Sequence, residues 1–88
     1  MTLKLGNVVA TKSALQALNE LQISPMMLLN RHANGDYGDI GKDDWKANED
    51  ALKYGDRLLS SYKFGKTVFW VITEHDRSAT TILLPSEY

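Results

Sequence analysis

Hydrophobic positions along the chain change their period once, near Gly55. Before it they recur at helical spacing. Ala14, Leu15, Leu18 and Leu21 predict an amphipathic helix over 12–22, with Thr11 as its cap. Ser24-Pro25 is a second start signal, an N-cap followed by proline at the first helical position. Met26, Leu28 and Leu29 follow and Gly35 stops the run, so a short helix is expected over 25–33. Asp43 or Asp44 opens a third helix running to about Tyr54, with Trp45, Asn48 and Leu52 along one face.

After Gly55 the pattern favours strands: 57–63 (RLLSSYK), 67–74 (TVFWVITE) and 79–84 (ATTILL). The middle stretch is apolar on both parities, as expected of a central strand. Gly65-Lys66 suits a two-residue hairpin turn with glycine first, and Pro85 ends the last strand. Residues 5–10 are β-prone and read as a strand or an extended arm. The expected fold is one α+β domain spanning 1–88, with N-terminal helices packed on a C-terminal three-stranded antiparallel meander.

Composition narrows the function classes. The 88 residues carry a formal net charge of −1, which gives no global attraction to nucleic acid or to anionic membranes. The chain has no cysteine, which excludes disulfides and thiolate metal sites. Its first residues hold no apolar run long enough for a signal peptide, and nothing approaches the length of a membrane span. A cytoplasmic protein that does not enter the membrane is expected.

Between the second and third helices lies NRHANGDYGD, with His32 in the last helical turn and a shaped loop of Gly35, Asp36, Tyr37, Gly38 and Asp39. The aspartates do not fit a calcium loop. Counted from Asn34, the sixth position is Asp39 rather than glycine and the twelfth is Trp45 rather than glutamate. No paired histidines suit zinc, so no metal and no cofactor are expected. Caps and turns account for the aspartates. Gly65-Lys66-Thr67 lacks the upstream glycine of a phosphate loop, and no serine lies in a nucleophile elbow.

General acid–base chemistry remains. The two histidines are His32 and His75, and His75 lies in a turn beside Glu74, Asp76 and Arg77. Metal-independent RNA cleavage needs a base for the 2′-hydroxyl, an acid for the leaving oxygen and a cation for the phosphate. His32, Glu74 and His75 are the candidate acids and bases. Arg57 and Arg77 are the candidate phosphate ligands, Lys66 would steer the RNA, and Tyr62 would stack on a base. The bland alternatives are a helix-terminal His32 favoured by the dipole when protonated, a solvated His75 and a core Tyr62. From Asp36 to Asp56 seven carboxylates face three lysines, which offers a different use: an acidic helical face that binds a host protein. The LLPSEY tail adds the possibility of a homodimer through a sheet edge.

Two resemblances accompany these readings. The pattern RHxxGDxG, then DRLLSSY, then WVITExDRSxTTILLPSEY resembles a family of short bacterial proteins carried on plasmids and other mobile elements. The resemblance covers nearly the whole chain and implies a mobile-element setting without an activity. The chain departs from that pattern at Tyr37, where tryptophan is usual, and at His75, where alanine is usual. The second departure shifts weight to His32 and the GDYGD loop. Residues 55–84 resemble the barnase and RelE-type small ribonucleases in the order Asp56-Arg57-Leu58-Leu59, Trp70, His75, Thr80-Thr81. That implies an endoribonuclease-like fold, although the spacing is longer and the strand glutamate has no clear counterpart. The two functional expectations are therefore a metal-independent endoribonuclease-like domain, and a non-enzymatic accessory or anti-defence protein.

Overall fold

The computed structural model describes residues 3–88. Its elements in chain order are β1 (Asn7–Ala10), α1 (Lys12–Glu20), α2 (Pro25–Ala33), α3 (Lys42–Tyr54), β2 (Leu58–Phe64), β3 (Thr67–Thr73), β4 (Ala79–Leu83) and a closing 3-10 turn, Pro85–Glu87. The fold is α+β.

The meander is present but is not the whole sheet. β2, β3 and β4 pair antiparallel in sequence order, and β1 joins β4 in parallel, so the sheet has four strands in the order β1-β4-β3-β2 and is mixed. Thus 7–10 is a strand rather than an arm, and β4 is interior rather than an edge. Gly6 makes the entry possible. It sits at φ +64°, and a Cβ there would lie 2.4 Å from the Arg77 carbonyl oxygen.

Capping follows the sequence closely. The Thr11 hydroxyl accepts from the Ala14 amide, and Ser24 accepts from the Met26 amide ahead of Pro25. α1 stops at Glu20, because Gln22 turns left-handed at φ 57°. α3 is capped by Gly41, with Asp43 and Asp44 inside its first turn, where the helix dipole favours carboxylates. Its buried residues are Asn48 and Ala51, with Trp45 half-buried beside them, and Leu52 is exposed.

The helices cover one face of the sheet. Ala14, Leu18, Leu28 and Leu29 pack on Tyr62, Phe69, Val71 and Ile82. A second cluster joins Tyr37, Ala51 and Leu58, with Leu3, Ile40 and Trp45 around it. Leu15 and Leu21 stay exposed, so the buried stripe of α1 is narrower than its sequence predicts. Among the described residues no α-helix covers the opposite face of the sheet.

α2 ends at Ala33, and the loop then runs along the outer edge of β2. The Ser61 amide donates to the Tyr37 carbonyl at 3.1 Å, the Asp39 amide donates to the Ser61 carbonyl at 2.6 Å, and the Lys63 amide donates to the Asp39 carboxylate at 2.9 Å. At the next outward position, Leu59, the Asn48 carboxamide takes over. It donates to the Leu59 carbonyl at 2.7 Å and accepts from its amide at 3.1 Å. An open edge would template pairing with other chains, and this one is sealed along its length.

Candidate functional site

His32 is placed by the C-terminal turn of α2, and the packing of that helix on the sheet buries it to 1 % exposure. Its Nδ1 lies 2.5 Å from Ser60 Oγ and its Nε2 lies 2.8 Å from Thr73 Oγ1. Thr73 Oγ1 lies 2.8 Å from Thr80 Oγ1, and the Thr80 hydroxyl donates to the Leu5 carbonyl at 2.7 Å. The last contact fixes every direction in the chain, because a carbonyl only accepts. Thr80 spends its proton on Leu5, so it accepts from Thr73. Thr73 in turn accepts from His32, whose Nε2 therefore carries the proton. Nδ1 accepts from Ser60.

The imidazole is neutral, and burial holds its pKa down to about 4. The expected preference for a protonated histidine at a helix C-terminus is overridden by desolvation. Both ring nitrogens are occupied and the ring has no path to a substrate. His32 ties α2, β2, β3, β4 and the segment before β1 together.

Three other predicted residues also serve the fold. Tyr62 is fully buried, donates to the Asp36 carbonyl at 2.6 Å, and has its phenol pushed up to about 12 by burial. It packs under the helices rather than forming a stacking platform. Arg77 sits at φ 62° and spends its guanidinium on carbonyls of Asp56 (2.6 Å), Ala51 (2.8 Å), Glu74 (3.1 Å) and His75 (3.2 Å). It clamps the end of α3 to the β3–β4 turn. Asp36 pairs with Arg31 at 2.7 Å and accepts from the Gly38 amide, and these contacts hold its carboxyl below the usual range. Lys66 is exposed in the hairpin turn, at the far end of β2 and β3 from Arg57, roughly 25 Å away at the rise of a strand.

Arg57 and Glu74 come together. The β2–β3 register pairs Leu58 with Thr73, so Arg57 and Glu74 are the next pair outward, on the face that no helix covers. Both line a recess of about 150 Å³ with Ile72, Thr81, Leu83 and Tyr88. Arg57 donates to the Tyr88 hydroxyl, and this contact raises the guanidinium pKa further. Its guanidinium carbon lies 5.5 Å from the Tyr88 ring centre, and that ring meets Trp70 edge-on at 5.6 Å. His75 follows Glu74 in an exposed turn and does not line the recess.

Tyr88 and Trp70 were not among the predicted site residues. A signal for the pairing was present in the sequence. A two-residue turn at Gly65-Lys66 sets residues whose numbers sum to 131 opposite one another, which puts Arg57 across from Glu74 and Ser61 across from Trp70. Nothing local marks Tyr88, which reaches the recess only because Pro85–Glu87 turns the tail back over the sheet.

Among the described residues no three histidine, aspartate or glutamate side chains gather as a metal site, and no helix is long and apolar enough to cross a membrane. Comparison of the chain with protein-family models, with curated proteins and with solved structures finds no match.

Proposed function

We propose that this chain acts as a binding protein, and that its contact surface is the helix-free face of the sheet around Arg57, Glu74 and Tyr88. The observation that carries this reading is the cross-strand pair beside an aromatic corner. Arg57 stacks near Tyr88, and Tyr88 meets Trp70 edge-on. Arginine, tyrosine and tryptophan are the residue types that dominate binding energy at interface centres. The recess is smaller than the roughly 300 Å³ of a typical small-ligand pocket, and it suits one side-chain head inserted from a partner surface. The His32 imidazole, whose pKa burial lowers to about 4, is sealed from solvent.

The partner in this reading is a host protein, in the mobile-element setting that the sequence resemblance implies. The contact surface differs from the acidic helical face. Asp36 and Asp39 are committed to Arg31, Gly38 and Lys63. On α3 the exposed Asp43, Asp44, Glu49 and Asp50 are interleaved with Lys42, Lys46 and Lys53. That mixture makes a weak electrostatic lure.

A second reading keeps RNA. Arg57 and Glu74 sharing one recess is the arrangement a metal-independent endoribonuclease requires of its phosphate ligand and its base, with His75 nearby as acid. It shifts the catalytic centre away from His32.

One pair of assays separates the readings. Wild type, an Arg57→Ala/Tyr88→Ala variant and a variant with Asp43, Asp44, Glu49 and Asp50 changed to amides serve as baits in a bacterial extract. The same proteins, with Glu74→Gln, are incubated with total RNA in EDTA. The expected result is a host protein retained by wild type and by the α3 variant, lost by the recess variant, with RNA left intact. Loss at the α3 variant alone would move the interface to the helical face. Cleavage by wild type that Glu74→Gln abolishes would replace the binding reading with the nuclease.

A further inference from the structure

The two edges of the sheet are treated oppositely. β2 is sealed at Leu59, Ser61 and Lys63 by Asn48 and the GDYGD loop. β1 is not. Its inward groups are engaged with β4: the Asn7 amide donates to the Ser78 carbonyl at 3.0 Å and the Thr11 amide to the Ile82 carbonyl at 3.0 Å. Strand alternation then points the amides and carbonyls of Val8 and Ala10 outward, and among the described residues no group hydrogen-bonds to them from that side. Val8 and Val9 are 46 % and 52 % exposed, on opposite faces.

Natural sheets protect edges with charge, proline or a covering segment, and this chain uses a covering segment on one side only. Within β1 there is no charge and no proline. The flanking charges are exposed lysines, Lys4 before the strand and Lys12 after it, and the first acidic residue of the chain is Glu20. Glu87, which reaches Thr11 at 2.7 Å, is held by that hydroxyl and by the Leu84 amide.

From this asymmetry we infer that β1 is a docking edge for an extended segment of another protein, one with a short uncharged β-prone centre and carboxylates on both sides. A second copy of this chain is the poorer occupant. Each copy carries exposed Lys4 and Lys12 at the two ends of the edge and no carboxylate beside them, so self-pairing brings cation to cation while an acidic segment brings opposite charge. The added strand supplies backbone hydrogen bonds to Val8 and Ala10, and its flanking carboxylates meet the two lysines. On the open face Val9 pairs in register with Thr81, which lines the Arg57 recess, so the edge continues onto that surface. The inference stands apart from the recess reading, and its test uses different residues.

The probe is a short peptide of alternating valine and threonine with glutamates at both ends, compared with the same peptide ended by lysines. Amide NMR of the labelled chain reads its site. The expected result is perturbation and slowed exchange at the Val8 and Ala10 amides, with the lysine-ended peptide at least tenfold weaker. Val8→Pro removes an outward donor and none of the bonds to β4, and it should abolish binding. A Lys4→Glu/Lys12→Glu variant, which leaves the edge intact, should prefer the lysine-ended peptide. No perturbation at Val8 and Ala10 at millimolar acidic peptide overturns the inference. So does equal binding of both peptides, and so does self-association that Val8→Pro abolishes, which would make a second copy the occupant.

Discussion

The Nε2 of His32 lies 2.8 Å from Thr73 Oγ1, and the proton between them belongs to the histidine, because the Thr73 and Thr80 hydroxyls are committed onward to the Leu5 carbonyl. A residue whose chemistry suggests a catalyst has become the hub of a one-way hydrogen-bond chain linking the N-terminal segment to the sheet.

That role has a pH signature. The folded pKa of about 4 lies below the ordinary 6.5, so the unfolded chain takes up the proton first as pH falls. The His32 contribution is fully present above about pH 6.5 and is lost as pH drops toward 4, by roughly 3 kcal/mol in all. NMR titration should find a neutral ring protonated at Nε2 at pH 6. A ring titrating near 6.5 would show that His32 is solvated and that the chain of bonds does not form.

Removing the hub should be costly. His32→Ala leaves the Ser60 hydroxyl without its partner, strips Thr73 of the donor it accepts from and opens a cavity, a loss of about 3–5 kcal/mol in urea unfolding at pH 7. A loss below about 1 kcal/mol would mean that the hydroxyls find each other or water without difficulty.

The glycines of the loop should respond unequally. Gly38 has φ 73°, and a Cβ there would meet the Ser61 carbonyl oxygen at 2.2 Å and the Tyr62 ring at 2.6 Å. Gly35 has φ 85°, and a Cβ there would meet nothing within 4 Å. Gly35→Ala should cost about 1 kcal/mol from backbone strain alone. Gly38→Ala adds a clash with backbone and should cost about 3 kcal/mol or more. Equal losses would show that the loop does not lie against β2.

Asn48→Leu tests the seal on the β2 edge. It removes two hydrogen bonds to Leu59, at about 2 kcal/mol, and should speed hydrogen exchange at the Leu59 amide far more than at Val71 in the sheet interior. Unchanged exchange at Leu59 would mean that the carboxamide does not cover the edge.

Arg77→Lys should fail to replace arginine. One ammonium cannot fork to the carbonyls of Ala51 and Asp56 while also holding those of Glu74 and His75. A melting temperature lowered by several degrees, with fraying at the end of α3, is the expected outcome, and wild-type stability would refute the clamp.

The sequence by itself determined the elements and much of their pairing. Thr11, Ser24-Pro25 and Gly55 mark helix ends through contacts made within a few residues, so those ends are legible locally. Gly65-Lys66 sets a register in which Arg57 faces Glu74. Tertiary structure alone decided the fates of the polar side chains. His32 meets Ser60 and Thr73 from 28 and 41 residues away, and Arg77 meets Ala51 from 26. Whether an imidazole or a guanidinium is a catalyst or a strut depends on which hydroxyls and carbonyls arrive beside it and whether water is shut out. The parallel union of β1 with β4 belongs to the same class, since a strand of four residues carries too little local signal to name a partner more than seventy residues away. Local pattern reports propensity, and burial assigns each polar group its partner.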